Sequence, residues 1–250
     1  MSEGCVAERP STRAAQVAAV GVDTADVGEV GRSLDAHADR YRDFILSPRE
    51  RAEQVGLTDR ALVLDTARRW AAKEAVTKVL GPSDEDPWPW RHIEVVGDAR
   101  RPTVRLHGLP RELADRLEIH ELVVEAPVEA PDLARRSTHL TDTITVTAVG
   151  LRPDRTADQP IPPQERDTMS TDTIEAVRTV VAAHAGLERD ASELAPDDDL
   201  FDAGMTSHRS VNLMMALEDD LDVEFPDDLL TRETFTSLRS ISDVVERIRG

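Results

Sequence analysis

Arg69-Trp70-Ala71-Ala72-Lys73-Glu74-Ala75-Val76-Thr77-Lys78 is the stretch that decides how the first half of this 250-residue chain folds. It lies inside residues 62–80, which are rich in Ala, Leu, Arg and Lys and are stopped by Gly81-Pro82, the pattern of one long helix. Glu74 and Lys78 are one turn apart and therefore share a face. A strand rich in Val and Ala is expected over 16–22, ending at Gly21-Val22-Asp23. Short strands over 93–96 and 103–106 flank a turn at Gly97-Asp98, and Pro110 opens a short helix running to Leu117. Residues 143–149 alternate strictly, with threonines at 143, 145 and 147 and apolar Ile144, Val146 and Ala148 between them, as a half-buried strand does. The class predicted for residues 16–150 is α+β, behind an N-terminal extension over 1–15.

Residues 151–169 are polar, hold four prolines and show neither helical nor strand periodicity, so they read as a linker. Flexible, they would span roughly 20–26 Å, which keeps whatever follows at an effective concentration of about millimolar. Met169-Ser170-Thr171 reads like the start of an independent protein. Beyond it only helices are expected. Ile174, Val177, Val181 and His184 share one face of the first, with Val180 beside them. Val211, Met214, Met215 and Leu217 mark the second, and Leu238, Ile241, Val244, Val245 and Ile248 the last. A short helix fits around 227–230, making an all-α four-helix bundle over 170–250 with a long first connection.

Charge separates the two halves. The chain carries 49 acidic against 30 basic residues, of which 19 acidic and 7 basic fall in 170–250. An acidic surface repels nucleic acid and anionic membranes, so neither partner is expected. Cys5 is the single cysteine, which excludes an intramolecular disulfide and any thiolate metal cluster. Neither a secretory signal pattern nor an 18-residue apolar run is present, and a cytoplasmic protein is expected.

The residues Asp199-Leu200-Phe201-Asp202-Ala203-Gly204-Met205-Thr206-Ser207 resemble the prosthetic-group site of the acyl carrier family, and 217–226 resemble its following helix end and loop. The resemblance implies that Ser207 carries 4′-phosphopantetheine and that Glu218, Asp219 and Asp220 belong to a docking surface for acyl- or aminoacyl-loading enzymes. Thr206 and His208 depart from the family pattern at the positions flanking the serine. Serine is among the commonest helix caps, and only the surrounding pattern argues for more. Asp197–Asp199 lacks the spacing and closing glutamate of a calcium loop.

Gly21-Val22-Asp23 together with residues 69–78 resemble the paired signatures of the holo-acyl-carrier-protein synthase family, a group of 4′-phosphopantetheinyl transferases, and their acidic residues stand 51 positions apart as in that family. Leu46-Ser47-Pro48-Arg49-Glu50 is similar to the loop between them. The resemblance implies transfer of phosphopantetheine from coenzyme A to a carrier serine, with release of 3′,5′-ADP. It implies Mg²⁺ held by Asp23 and Glu74, catalysis by Glu74 and Lys78, contacts to coenzyme A from Lys73 and His139, and a homotrimer. Hard cations prefer carboxylate oxygens, which suits the first assignment. An arginine usually follows the Asp motif in that family, whereas here Glu29 falls near its position and Arg32 is the nearest substitute. The alternative reading leaves the first half as a scaffold for a carrier modified by another enzyme.

Overall fold

The computed structural model describes residues 15–87, 90–99, 101–126, 143–153 and 171–250. Strand β1 (Ala15–Asp26) runs into helix α1 (Val27–Ile45), followed by α2 (Pro48–Glu53) and the long α3 (Asp59–Leu80). A hairpin of β2 (Ile93–Val96) and β3 (Thr103–Leu106) leads to α4 (Gly108–Arg116), β4 (Glu121–Glu125) and β5 (Thr143–Pro153). Strands β1, β5 and β4 form an antiparallel sheet with β5 in the centre, while β2 and β3 pair separately. The alternation of β5 is as expected: Ile144, Val146 and Ala148 are buried. The strand continues to Pro153, into the stretch that reads as linker.

Helix α3 lies across β1 and β5 and is buried at most positions from Thr66 onward. Contact this close needs small residues on both surfaces, and they are present: Ala71, Ala72 and Ala75 on the helix, Gly21, Ala148 and Gly150 on the strands. A Cβ at Gly21 would stand 2.0 Å from the Ala75 carbonyl oxygen. Gly21 therefore sets the depth to which β1 sinks against α3, and with it the position of Asp23 two residues on.

Helix α1 starts on a clean cap, the Asp26 side chain accepting from the Glu29 amide at 2.8 Å. It is broken at Ala38, whose φ of 46° and ψ of −118° lie where an L-residue is strained. The break turns the segment carrying Arg40 and Tyr41 relative to the segment carrying Glu29.

The second half is helical: α5 (Thr171–His184), α6 (Ser207–Leu221) and α7 (Leu238–Arg249) surround a core of Val177, Val181, Leu213, Leu217, Leu238 and Ile241. The short helix expected near 227 is a 3₁₀ turn over Asp227–Leu229. One expectation fails. His184 is exposed, because α5 ends there and Ala185 fills the interior position instead. The bundle sits against the first half, with α6 alongside α1, and the Glu233 amide donates to the Asp84 carbonyl at 3.0 Å.

Candidate active site

Three of the expected residues converge. Asp23 comes from β1, and Glu74 and Lys78 from one face of α3. The Lys78 ammonium lies 2.6 Å from Asp23 Oδ1 and donates to the Val22 carbonyl at 2.9 Å. Glu74 is 7% exposed, and its Oε1 has no hydrogen-bond partner among the described residues. Burial, reinforced by the negative charge of Asp23, pushes the Glu74 carboxyl up to about 8; Ser207, Lys78 and Arg232 pull in the opposite direction.

Ser207 reaches this carboxylate from the other half of the chain. It stands at the first position of α6, but it is not the cap: Thr206 performs that role, its hydroxyl accepting from the Arg209 amide at 3.2 Å. The Ser207 side chain is thus released from capping and shares the walls of the same cavities as Glu74. Ser207, Glu74 and Lys78 line two adjoining cavities, one of about 310 Å³ and largely apolar, the other of about 440 Å³ and opening past Asp23. Arg232, stacked 3.7 Å over the Phe201 ring, lines both.

Lys73 is corrected. It was expected to meet coenzyme A, but its ammonium is fully enclosed, 2.8 Å from Glu50 Oε2 and donating to the carbonyls of Trp90 and Ile93. One residue along a helix turns the side chain by about 100°, which takes Lys73 away from the face of Glu74 and into the core. Its partner Glu50 closes a capping box with Ser47 and accepts from the Val95 amide at 2.9 Å. Burial pushes the Lys73 ammonium down, and Glu50 resists that. His139 lies outside the described residues.

Sequence reasoning missed the residues that hold the two halves together. His208 is buried with its ring edge-on to Tyr41 and Trp70, and its Nε2 is 2.7 Å from the Tyr41 hydroxyl. Glu29 Oε1 accepts from Arg209 Nη2 at 2.7 Å and from Nε at 2.9 Å, and Glu29 Oε2 is 3.7 Å from His208 Nδ1. His208 and then Arg209 hold the Glu29 carboxyl down at about 2, against the opposing effect of burial. At 3.7 Å the His208 contact is too long for a hydrogen bond, and His208 Nδ1 has no hydrogen-bond partner among the described residues. Arg40 pairs with Glu218 and, at 2.7 Å, with Asp219. The departure at 208 was visible in the sequence; the partner of His208, 167 positions away, and that of Arg209, 180 positions away, were not.

A buried carboxyl with one oxygen unpartnered among the described residues thus stands beside a second carboxylate and shares a cavity with a serine at a helix start. Residues 19–133 match the 4′-phosphopantetheinyl transferase superfamily, and residues 175–248 match the phosphopantetheine attachment site. A holo-[acyl-carrier-protein] synthase of Halorhodospira halophila is 38% identical over 108 residues, covering 42% of this chain and 82% of that protein. The aminoacyl carrier protein of Agrobacterium fabrum is 39% identical over 72 residues, 29% of this chain and 87% of that protein. The solved holo-ACP-synthase of Plasmodium yoelii aligns with 56% of this chain and 99% of its own at a TM-score of 0.46 and 20% identity. The chain belongs to the 4′-phosphopantetheinyl transferase superfamily and carries an acyl carrier domain behind the transferase domain. No helix among the described residues is long and apolar enough to cross a membrane.

Proposed function

We propose that this protein transfers 4′-phosphopantetheine from coenzyme A to Ser207 of its own carrier domain. The observation that carries this reading is that Ser207 lines one cavity with Glu74, Asp23 and Lys78. In the reaction the Ser207 oxygen forms a bond to the β-phosphorus of coenzyme A. The bond from that phosphorus to the bridging oxygen breaks, its electron pair leaves with 3′,5′-ADP, and the serine proton departs on the Glu74 side. Lys78 and Arg232, both lining the cavities, offer positive charge to the phosphates.

The donor set suits a hard divalent cation: two carboxylates close enough to repel, one with an oxygen left without a partner among the described residues. Asp23 and Glu74 would hold Mg²⁺, which when bound neutralises the pyrophosphate and aligns its phosphorus. The apolar cavity between the Gly81–Ser83 turn, Trp90 and Met214 suits the pantetheine arm. Similarity to an aminoacyl carrier protein supports an aminoacyl cargo on the finished arm.

Association into a trimer is supported by the outer face of β1. A bulge between Val17 and Ala19 brings Val17, Val20 and Val22 to one side, where they are 55, 57 and 48% exposed. A contiguous exposed apolar row of this kind marks an interaction surface. Light scattering on the eluted protein is expected to give three times the chain mass.

The deciding experiment is intact mass after purified apo protein is incubated with coenzyme A and Mg²⁺, beside a Ser207→Ala control. A gain of one phosphopantetheine in the parent and none in the control is expected. An unmodified parent whose Ser207 is readily loaded by an unrelated transferase would reduce the first domain to a scaffold.

A further inference from the structure

The surface between the two domains has an unusual distribution of charge. Helices α1 and α6 meet through side chains at both ends, start against start and end against end. At the start, an acid on α1 meets bases on α6: Glu29 against Arg209 and His208. At the far end the polarity is reversed, with a base on α1 and acids on α6: Arg40 against Glu218 and Asp219. Positions 209 and 218 are separated by about 13–14 Å of helix, more than a Debye length at physiological salt, so each pair acts on its own.

Between them the contact is aromatic. His208, adjacent to Ser207, enters a slot formed by Tyr41 and Trp70, whose ring lies 5.0 Å from Trp90. Trp70 stands four residues before Glu74 on α3. The slot therefore fixes the neighbour of the attacking serine directly against the helix that carries the catalytic carboxylate. Glu29 also lies near the start of α6, where the unpaired amides favour a negative charge.

We propose that this bipolar pairing is the specificity determinant of the transferase: it selects carrier domains with a histidine directly after the attachment serine, a basic residue next, and acids at the helix end. A carrier helix acidic throughout would bring a carboxylate to Glu29 and be rejected there, although Arg40 would still accept its far end. A reversed helix would mismatch at both ends, so the same charges set direction as well as partner. This inference rests on the reading of Ser207 as the acceptor for the rate measurements, but the docking it describes does not require chemistry.

The test uses the full chain. Single-turnover self-modification, followed by intact mass, is expected to slow about tenfold or more in Glu29→Arg and in Arg209→Glu, and to return to within about threefold of the parent in the double exchange. A double variant no faster than the slower single overturns the proposal. For selectivity, Ser207→Ala removes the internal acceptor and an added, uniformly acidic carrier protein serves as substrate. Glu29→Arg in that background is expected to raise its modification about tenfold, whereas Arg209→Glu, which loosens the internal carrier equally, is not. Equal gains in the two variants overturn the selectivity.

Amide hydrogen exchange over α6 and the Tyr41 segment reads docking alone. Protection is expected to fall in each single variant and recover in the double; singles indistinguishable from the parent overturn the pairing. Should the parent show this exchange pattern yet gain no mass with coenzyme A, the proposed function fails while the docking inference stands. Glu29→Gln, which removes the charge without reversing it, is expected to give an intermediate loss in both readouts.

Discussion

Helix α3 carries two lysines five positions apart, each paired with a carboxylate from an earlier element, and the two pairs could hardly be less alike. Lys73 and Glu50 are both fully buried, and every charged atom described there has a partner: two carbonyls for the ammonium, two amides for the carboxylate. Lys78 is open, its side chain 52% exposed, Asp23 is half-buried, and beside them Glu74 keeps an oxygen without a described partner. Closure and completeness mark the first pair as part of the scaffold. Exposure together with an unmet acceptor marks the second as a place where something else binds. A buried charge with all its bonds made holds structure; a buried charge with one bond missing points to a ligand.

Three variants can break this contrast, and the largest effect is expected at the incomplete end. Glu74→Gln should reduce self-modification by about 10²–10⁴-fold, as expected for loss of a group that acts on the reacting proton or its metal. Its thermal midpoint should stay level or rise, because an amide in that enclosure carries no charge to desolvate. Rate loss by intact mass accompanied by a collapsed midpoint would erase the distinction between the two pairs.

At the closed end the consequence should be the reverse. Lys73→Met leaves Glu50 buried without its counter-ion and is expected to lower unfolding free energy by about 3–5 kcal/mol. Urea titration gives the stability, and the rate per folded molecule should remain close to that of the parent. A stable but inactive Lys73→Met would return this lysine to the site from which its burial removes it.

The smallest stability effect is expected from Lys78→Met. An exposed ion pair contributes about 0–1 kcal/mol, so the urea midpoint should barely move. Modification should nevertheless slow by about tenfold to a hundredfold if the ammonium assists the leaving phosphate. Unchanged turnover would leave Arg232 as the cation that serves the phosphates.

How far the sequence carried this picture depended on the range of the interaction. Asp23, Glu74 and Lys78 were legible through the resemblance of two local motifs, 51 positions apart, to the paired signatures of a known family. The half-buried alternation of β5 and the apolar faces of α6 and α7 were legible because periodicity is a local feature. Lys73 was not, since its fate is decided by Glu50, 23 positions earlier. The His184 error came from carrying the apolar period to the last residue of α5, where the helix stops and Ala185 takes the interior position. The docking contacts of His208 and Arg209 span 167 and 180 positions, and no window along the chain can reveal a partner at that distance.

The strained residue at Ala38 has a consequence for how such a surface can change over time. Because the chain turns there, Glu29 and the pair Arg40 and Tyr41 sit on two helical segments of different direction. A substitution at position 38 would alter the angle between the two segments without touching Asp23, Glu74 or Lys78 on β1 and α3. Recognition can therefore drift toward new partners in increments, with the chemistry held constant beneath it.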